Sequence, residues 1–86
     1  MTVHFHGYVI DHAKGVESFQ SETSETVGAL IDELGNHFGQ SFKDFLLGDE
    51  TCLFLVNGKG LMTTGGFGTK LLPGDKIEIL PYVVAG

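Results

Sequence analysis

One stretch of the chain carries apolar residues at helical spacing, and it limits the fold more than any other feature. The spacing is i, i+3, i+4, i+7 and i+11, which places every member on one face of an α-helix over roughly residues 26–38. Ser24 and Thr26 are candidate N-caps, and Gly39 is a candidate C-cap. Because one amphipathic helix needs another layer over its apolar face, we expect a sheet against it. The stripe consists of Val27, Leu30, Ile31, Leu34 and Phe38.

Strand patterns flank this helix on both sides. Before it, the runs TVHFHGYVI and VESFQSE are separated by the turn DHAKG, which predicts an N-terminal hairpin. After it, SFKDFLLGDE predicts a short helical turn, and TCLFLVNGKGL predicts a strand that ends in the hairpin turn Asn57-Gly58. A glycine-rich connection and a tight turn at residues 73–75 lead to a last strand, KIEILP, with Ile77 and Ile79 facing inward.

The order of these elements predicts an α+β fold. Hairpin, helix, turn, hairpin and strand give β-β-α-β-β, with one main helix packed across a mixed sheet and with the first and last strands side by side in its centre. This is the β-grasp, or ubiquitin-like, architecture. With 86 residues the chain has room for one core. We therefore predict a β-grasp domain over residues 1–80 and a flexible tail over residues 81–86.

Charge and cysteine content narrow the function classes. Five Lys and Arg against eleven Asp and Glu give a formal net charge of -6. This charge argues against binding to nucleic acid or to anionic membranes and favours a partner with a basic face. Cys52 is the single cysteine of the sequence, so an internal disulfide is not expected. The first residues lack a signal-peptide pattern and no apolar run has the length of a membrane span, so the expected location is the cytoplasm.

The strand run CLFLV is apolar at every position, although one helix covers only one face of a sheet. Either Leu53 and Leu55 or Cys52 and Phe54 therefore face outward, together with Leu80. Two interpretations stay open at this point. In the first, the segment around residues 42–47 folds over the outward face. In the second, that face is an exposed apolar patch close to the tail, of the kind that marks a protein interface.

Side chains with catalytic or metal-binding chemistry are few. His4 and His6 share one strand face and His12 follows in the turn, but no neighbouring set of cysteines or carboxylates completes a metal site, so we expect surface histidines. Cys52 lies in an apolar run, where a thiol behaves as a small hydrophobe. The glycine-rich NGKGLMTTGGFGTK lacks the residue order of a phosphate-binding loop. The sequence therefore predicts neither a metal nor a permanently bound cofactor.

The end of the sequence is the remaining candidate for chemistry. Six extended residues from Pro81 to Gly86 reach about 20 Å, and Pro81 stiffens their exit from the last strand. Gly86 has no side chain, so a channel of backbone width can admit its carboxylate. A carboxylate becomes an acyl donor once AMP is transferred to it from ATP, after which a sulfur or amine nucleophile displaces the AMP. On this hypothesis the chain has no catalytic side chain, and other enzymes act on Gly86. An ordinary apolar terminus is the alternative.

The chain as a whole resembles the ubiquitin-like sulfur carriers. The resemblance covers residues 2–86 and rests on VHFHGYV, ETVGALIDELGNHF and FLVNGKGL, and above all on GGFGTKLLPGDKIEILP before the tail. The LVNG and L-x-x-G-D-x-I-x-I-x-P motifs at this spacing are similar to those of the small subunit of molybdopterin synthase (MoaD-like) and, more distantly, of the thiamine-pathway carrier (ThiS-like). The additional length around residues 39–50 favours the molybdopterin type.

The resemblance implies partners, a cofactor requirement and a site. In that family an ubiquitin-activating-like adenylyltransferase uses ATP to adenylate the terminal glycine, which is converted to a thiocarboxylate. The tail then enters the large subunit of molybdopterin synthase, where its sulfur is given to a pterin precursor. Carried over, Gly86 bears the thiocarboxylate and Leu80 lies in the apolar contact beside the tail. The residues that thread the partner's channel are then Pro81, Tyr82, Val83, Val84 and Ala85.

Three departures from the family pattern bear on the identity of the partner more than on the fold. The family ends in Gly-Gly, whereas position 85 is Ala, and one methyl in a narrow channel costs about 1–3 kcal/mol if nothing adjusts. Tyr82 replaces a second proline, and Ile10 and Asp11 stand where an arginine is common. Two alternatives are therefore kept: a non-covalent ubiquitin-like binding or regulatory module, and a protein modifier joined through Gly86 to lysines of target proteins.

Overall fold

Two strands from distant parts of the sequence form the centre of the sheet. The computed structural model describes residues 1–21, 25–48 and 52–81, and of Met62 only the backbone. Within it the strands lie in the order β2-β1-β5-β3-β4. β1 and β5 are parallel, and the other pairs are antiparallel. This mixed sheet confirms the predicted β-grasp architecture. The strands are β1 (Thr2–Phe5), β2 (Ser18–Gln20), β3 (Cys52–Val56), β4 (Lys59–Gly60) and β5 (Lys76–Pro81).

The predicted main helix is confirmed as α2, Val27–Phe38. Thr26 is its N-cap, since the Thr26 side-chain oxygen accepts a hydrogen bond of 3.1 Å from the backbone N–H of Ala29. Gly39 ends the helix at φ 111°, a conformation that favours glycine. The other N-cap candidate, Ser24, lies outside the described residues.

The core lies between α2 and one face of the sheet. All five residues of the predicted stripe are buried, and they meet inward-facing residues of the three central strands. The strand register places these inward residues side by side, because Phe5 lies opposite Ile79 and Ile79 lies opposite Phe54. The inward set on the sheet is Val3, Phe5, Phe54, Val56, Ile77 and Ile79, each no more than 7% exposed.

The first strand is shorter than its sequence pattern predicts. β1 ends at Phe5, and the last part of the run TVHFHGYVI forms a one-turn helix, α1 (Tyr8–His12). The chain leaves the sheet at Gly7, whose φ of 58° and ψ of -138° suit glycine. Val9 then packs into the core from α1 and is fully buried. The predicted second strand is also shorter than expected, since β2 spans only Ser18–Gln20.

The predicted short turn after α2 is a full helix, α3, Gln40–Leu47. It packs beside α2 on the same face of the sheet, where the Phe42 ring lies edge-on to Phe5 and tilted against Phe38. The two helices approach closely at Gly35, where a Cβ would press against the Lys43 side chain at 2.9 Å. The interpretation that this segment covers the outward face of the sheet is therefore wrong.

The glycine-rich connection contains helical structure that the sequence did not reveal. A one-turn helix, α4 (Leu61–Thr64), is followed by a 3-10 turn at Gly66–Gly68. Side-chain hydroxyls hold the connection together, since Thr69 donates to the Gly66 carbonyl at 2.7 Å and lies 3.0 Å from the hydroxyl of Thr64. The predicted Asn57-Gly58 hairpin is confirmed, with both residues at positive φ between β3 and β4.

None of the helices in the described ranges combines the length and the apolar character that a membrane crossing requires.

Candidate functional site at the end of β5

The end of β5 is the part of the predicted site that the structure places. β5 lies between β1 and β3, and its residues Ile77 and Ile79 are fully buried. Leu80 lies opposite Leu53, and Pro81 lies opposite Cys52. Leu80 and Pro81 are both half-buried. The other predicted site residues, from Tyr82 to Gly86, lie outside the described residues. We call Gly7, Leu80 and Pro81 the tail base.

Gly7 packs directly against Pro81 within the tail base. The backbone N–H of His6 donates to the Ile79 carbonyl at 3.1 Å, which is the last backbone bond between the β1 end and β5 before the chain turns. A Cβ on Gly7 would overlap the Pro81 ring. Because Gly7 and Pro81 fit together only in the absence of that Cβ, the pair holds the end of β5 against the start of α1. Sequence analysis did not select Gly7, although a glycine inside a strand pattern signals a close backbone approach.

The outward face of the sheet beside the tail base is apolar. Leu53 is 42% exposed, and Leu55 and Leu80 are half-buried. The register places Leu53 directly opposite Leu80, so these leucines form one continuous surface, which we call the open face. Of the two outward sets considered, the structure therefore selects Leu53 and Leu55. Phe54 is buried, and Cys52 is half-buried with its Sγ 3.9 Å from the Leu46 carbonyl.

Polar residues continue the open face toward β1. Glu78 lies opposite His4 in the register, and its Oε1 lies 3.4 Å from His6 Nε2 and 3.8 Å from Lys76 Nζ. This His6 nitrogen is covered by surrounding atoms and makes no hydrogen bond to any described residue. His12 lies apart from both histidines and stacks on Phe45, with ring centroids 3.9 Å apart. Within the described residues, no group of three or more His, Cys, Asp or Glu is arranged to hold a metal ion.

Asp75 joins the turn before β5 to the β3-β4 hairpin. Its carboxylate accepts hydrogen bonds from the backbone N–H of Leu72 at 2.8 Å and from the Asn57 side-chain amide at 3.0 Å. These two donors, the Leu72 N–H first, hold the pKa of Asp75 below its usual value of 3.8. The Asn57 side chain in turn accepts from the backbone N–H of Lys76, the first residue of β5. Side-chain hydrogen bonds of Asn57 and Asp75 thus anchor the start of β5.

A model of the ThiS family matches residues 3–86, nearly the whole chain. The chain belongs to the ThiS family. Its members share the ubiquitin-like sulfur-carrier fold, which agrees with the resemblance drawn from the sequence motifs. Among curated proteins, none matches this ThiS-family chain.

Solved structures agree with membership of the ThiS family. Mycobacterium tuberculosis CysO, described as an antigen, is 26% identical with a TM-score of 0.82, and the alignment covers 95% of this chain and 98% of CysO. Small archaeal modifier protein 1 of Methanosarcina acetivorans is 25% identical with a TM-score of 0.77, over 99% of this chain and 94% of the modifier. A Pyrococcus furiosus protein, provisionally assigned as molybdopterin converting factor subunit 1, is 24% identical with a TM-score of 0.77, over 95% of each chain. The last of these likenesses concerns the fold alone.

Proposed function

We propose that this ThiS-family chain is a sulfur carrier whose α-carboxylate at Gly86 is adenylated and converted to a thiocarboxylate. Its acceptor is the pterin precursor of the molybdenum or tungsten cofactor, so the chain acts as the small subunit of molybdopterin synthase. The partners are then an ubiquitin-activating-like adenylyltransferase, which uses ATP, and the large synthase subunit, which receives the tail from Pro81 to Gly86. The activation of Gly86 and the transfer of sulfur to the pterin precursor both take place in the cytoplasm.

The chemistry requires one activated carbonyl and no side chain from this chain. A carboxylate oxygen of Gly86 attacks the α-phosphate of ATP, pyrophosphate leaves, and a mixed acyl–AMP anhydride forms. A sulfur nucleophile supplied through the activating enzyme then adds to the Gly86 carbonyl and AMP leaves. With hydrosulfide (HS⁻) as that nucleophile, the acyl–SH product loses its proton to give the thiocarboxylate, and no change of oxidation state is required. The carrier's role is to present the carbonyl at the end of an extended segment that enters the partner's site.

The observation that carries the proposal is the geometry of the tail base. β5 lies in the centre of the sheet with Ile77 and Ile79 fully buried, and its end packs against Gly7. A rigid exit followed by a segment with a small last residue suits insertion into a narrow channel. The apolar open face at Leu53 and Leu80 lies beside that exit, where a partner that takes the tail can bury it. The family match, which extends to Gly86, supports the same conclusion.

Intact mass spectrometry tests the proposal. The chain is incubated with ATP, its cognate activating enzyme and a sulfide source, and a gain of about 16 Da, oxygen replaced by sulfur, is expected. The control is the same chain without Gly86, which should gain nothing. Absence of both the mass gain and the adenylate in the complete chain would remove the carrier function.

Replacing Ala85 by Gly tests whether the channel of the activating enzyme tolerates the Ala85 methyl. We expect Ala85→Gly to keep or raise the rate of thiocarboxylation, because the substitution removes a methyl that has to pass a channel of backbone width. If the channel does not adjust to the methyl, Ala85→Gly should raise the rate of thiocarboxylation about tenfold or more, since a factor of ten in rate corresponds to about 1.4 kcal/mol. Rates are compared by the mass gain over time. A clear loss of rate would show that the partner recognises the methyl itself.

A protein modifier is the second candidate function. It is favoured by the likeness to small archaeal modifier protein 1, which is 25% identical over nearly the whole of both chains. In this case an amine of a target lysine, in place of sulfur, attacks the activated Gly86 carbonyl and an isopeptide bond forms. The readout is a set of lysine adducts in cell extracts that carry an Ala-Gly remnant after digestion. A chain that gains sulfur but gives no such adducts is a carrier only.

A further inference from the structure

An apolar groove lies along the edge of β3 that faces away from β5. Its volume is ≈ 470 Å³. Its walls come from the end of α3, from the outward residues of β3 and from the connection after β4. The residues that carry the argument are Leu46, Leu47, Leu53, Leu55, Leu61 and Phe67. We call this feature the edge groove. Leu47 is 46% and Phe67 is 50% exposed, although both are large and apolar.

The edge groove exposes part of a strand edge. β4 has two residues and pairs only with Leu55 and Val56. In the described chain, the part of β3 at Leu53 and Phe54 therefore has a strand neighbour on the β5 side and none on the other. A strand edge beside an apolar groove accepts an added strand, because main-chain hydrogen bonds supply affinity and the groove accepts alternate side chains.

The charges around the edge groove indicate the charge of the segment that it binds. Asp44 is exposed on α3, one turn before Leu47, on the same side of that helix. Lys59, beside the lining residue Gly60, is at the opposite end. With a net charge of -6 for the whole chain, an added strand with basic residues at its α3 end is favoured.

We propose that the edge groove docks an extended aliphatic segment of the activating enzyme, with basic residues at one end, as an added strand on β3. The groove is continuous with the tail base, because Leu53 both lines it and lies opposite Leu80. A strand held there fixes the carrier while its tail enters the enzyme. The assignment to the activating enzyme rests on the proposed function, whereas the binding of a strand to the groove does not.

A synthetic peptide tests the groove directly. The probe is acetyl-Lys-Lys-Val-Ile-Val-Ile-Ser-amide, titrated into the complete chain and followed by backbone amide NMR shifts. Shifts are expected at residues 53–55 and at Gly60 and Leu61. Leu47→Ser and Phe67→Ser should each weaken binding about tenfold, since both lose apolar contact in a groove. The matched control is Leu72→Ser, because Leu72 is 66% exposed and does not line the groove; it should bind the probe as the unchanged chain does.

Each other outcome overturns the proposal in a recognisable way. Equal binding of a peptide with Pro in place of its central Ile would exclude strand addition, and equal binding with Glu in place of Lys would exclude the charge assignment. Self-association that Leu47→Ser abolishes would make a second copy the occupant. Groove shifts on removal of residues 82–86 would make the chain's own tail the occupant. Absence of any shift would remove the groove as a site.

The activating enzyme supplies the second measurement. In the thiocarboxylation assay Leu47→Ser should raise the KM for the carrier about tenfold with little change in kcat, and Leu72→Ser should change neither. If the peptide binds but Leu47→Ser leaves the KM unchanged, the groove serves another partner and the assignment fails. If the complete chain is never adenylated, the proposed function fails while the peptide result stands.

Discussion

At the scale of single residues, Gly7 has the largest consequence for the site. It combines a backbone conformation that favours glycine with direct contact to Pro81. We expect Gly7→Ala to lower the free energy of unfolding by about 3 kcal/mol or more, since backbone strain and overpacking each cost about 1–3 kcal/mol. Urea unfolding followed by circular dichroism measures the change.

Gly15 provides the matched control for this substitution. It also has a positive φ, 86°, but a Cβ there would meet nothing within 4 Å. Gly15→Ala should therefore lower the free energy of unfolding only by the cost of the backbone conformation, about 1–2 kcal/mol. The difference between the two variants isolates the contact with Pro81. Equal losses would mean that the contact between Gly7 and Pro81 contributes nothing to stability.

Asp75 makes stability depend on pH through two hydrogen bonds. Its pKa is lowered in the folded chain by the donors Leu72 N–H and Asn57 Nδ2, so its contribution is present above the unfolded value near 3.8. That contribution is lost as pH falls through the folded pKa. Between pH 5 and about pH 2, Asp75→Asn should therefore lose less stability than the unchanged chain. Melting temperatures across this range measure it, and parallel curves for the two proteins would contradict the assignment.

At the scale of elements, α3 stabilises the domain through Phe42. This ring is 1% exposed and packs edge-on against Phe5 and near Phe38. Phe42→Ala should lower the free energy of unfolding by about 3–5 kcal/mol. The control on the same helix is Leu47→Ala, which should cost about 1 kcal/mol or less because Leu47 is 46% exposed. A small effect of Phe42→Ala, measured by urea unfolding, would show that α3 is not part of the core.

The elements that the sequence predicts well are those with a periodic pattern and a local end signal. α2 has both, and so does the Asn57-Gly58 hairpin. The pattern failed at Tyr8–His12, which continue a strand pattern but form a helix that begins beside the contact between Gly7 and Pro81. That contact joins residues far apart in the sequence, so no local window contains it. α4 was missed for a different reason: the glycine-rich segment around it has no apolar periodicity, although its hydroxyl contact between Thr64 and Thr69 is local.

Only part of the candidate site was predicted from the sequence, because some of its contacts join residues that are far apart in the chain. Leu80 and the apolar face beside it follow from strand alternation, and the structure places them together with Leu53. The choice of Leu53 and Leu55 over Cys52 and Phe54 needed the register against β5. The role of Gly7 and the edge groove both depend on packing between elements that are distant in the sequence, and the alternation of residues along a strand does not reveal such packing.

At the scale of the whole molecule, the domain and the tail should be independent in stability. The buried residues of the described core lie between Val3 and Ile79. Removal of residues 82–86 should therefore shift the melting temperature by less than about 3 °C, which is below 1 kcal/mol for a domain of this size. The same truncation should abolish thiocarboxylation completely. A large fall in melting temperature would show that the tail is structural, and the carrier function would lose its basis.

The parallel pairing of β1 with β5 also bears on biosynthesis. Thr2 lies opposite Lys76, so the central pair of the sheet cannot form until the ribosome has released nearly all of the domain. Non-local pairing of this kind delays folding to the end of synthesis. Pro81 ends β5, the strand that completes this pairing. An activating enzyme that requires the folded end of β5 would thus select chains in which the sheet has formed and leave nascent or misfolded ones untouched.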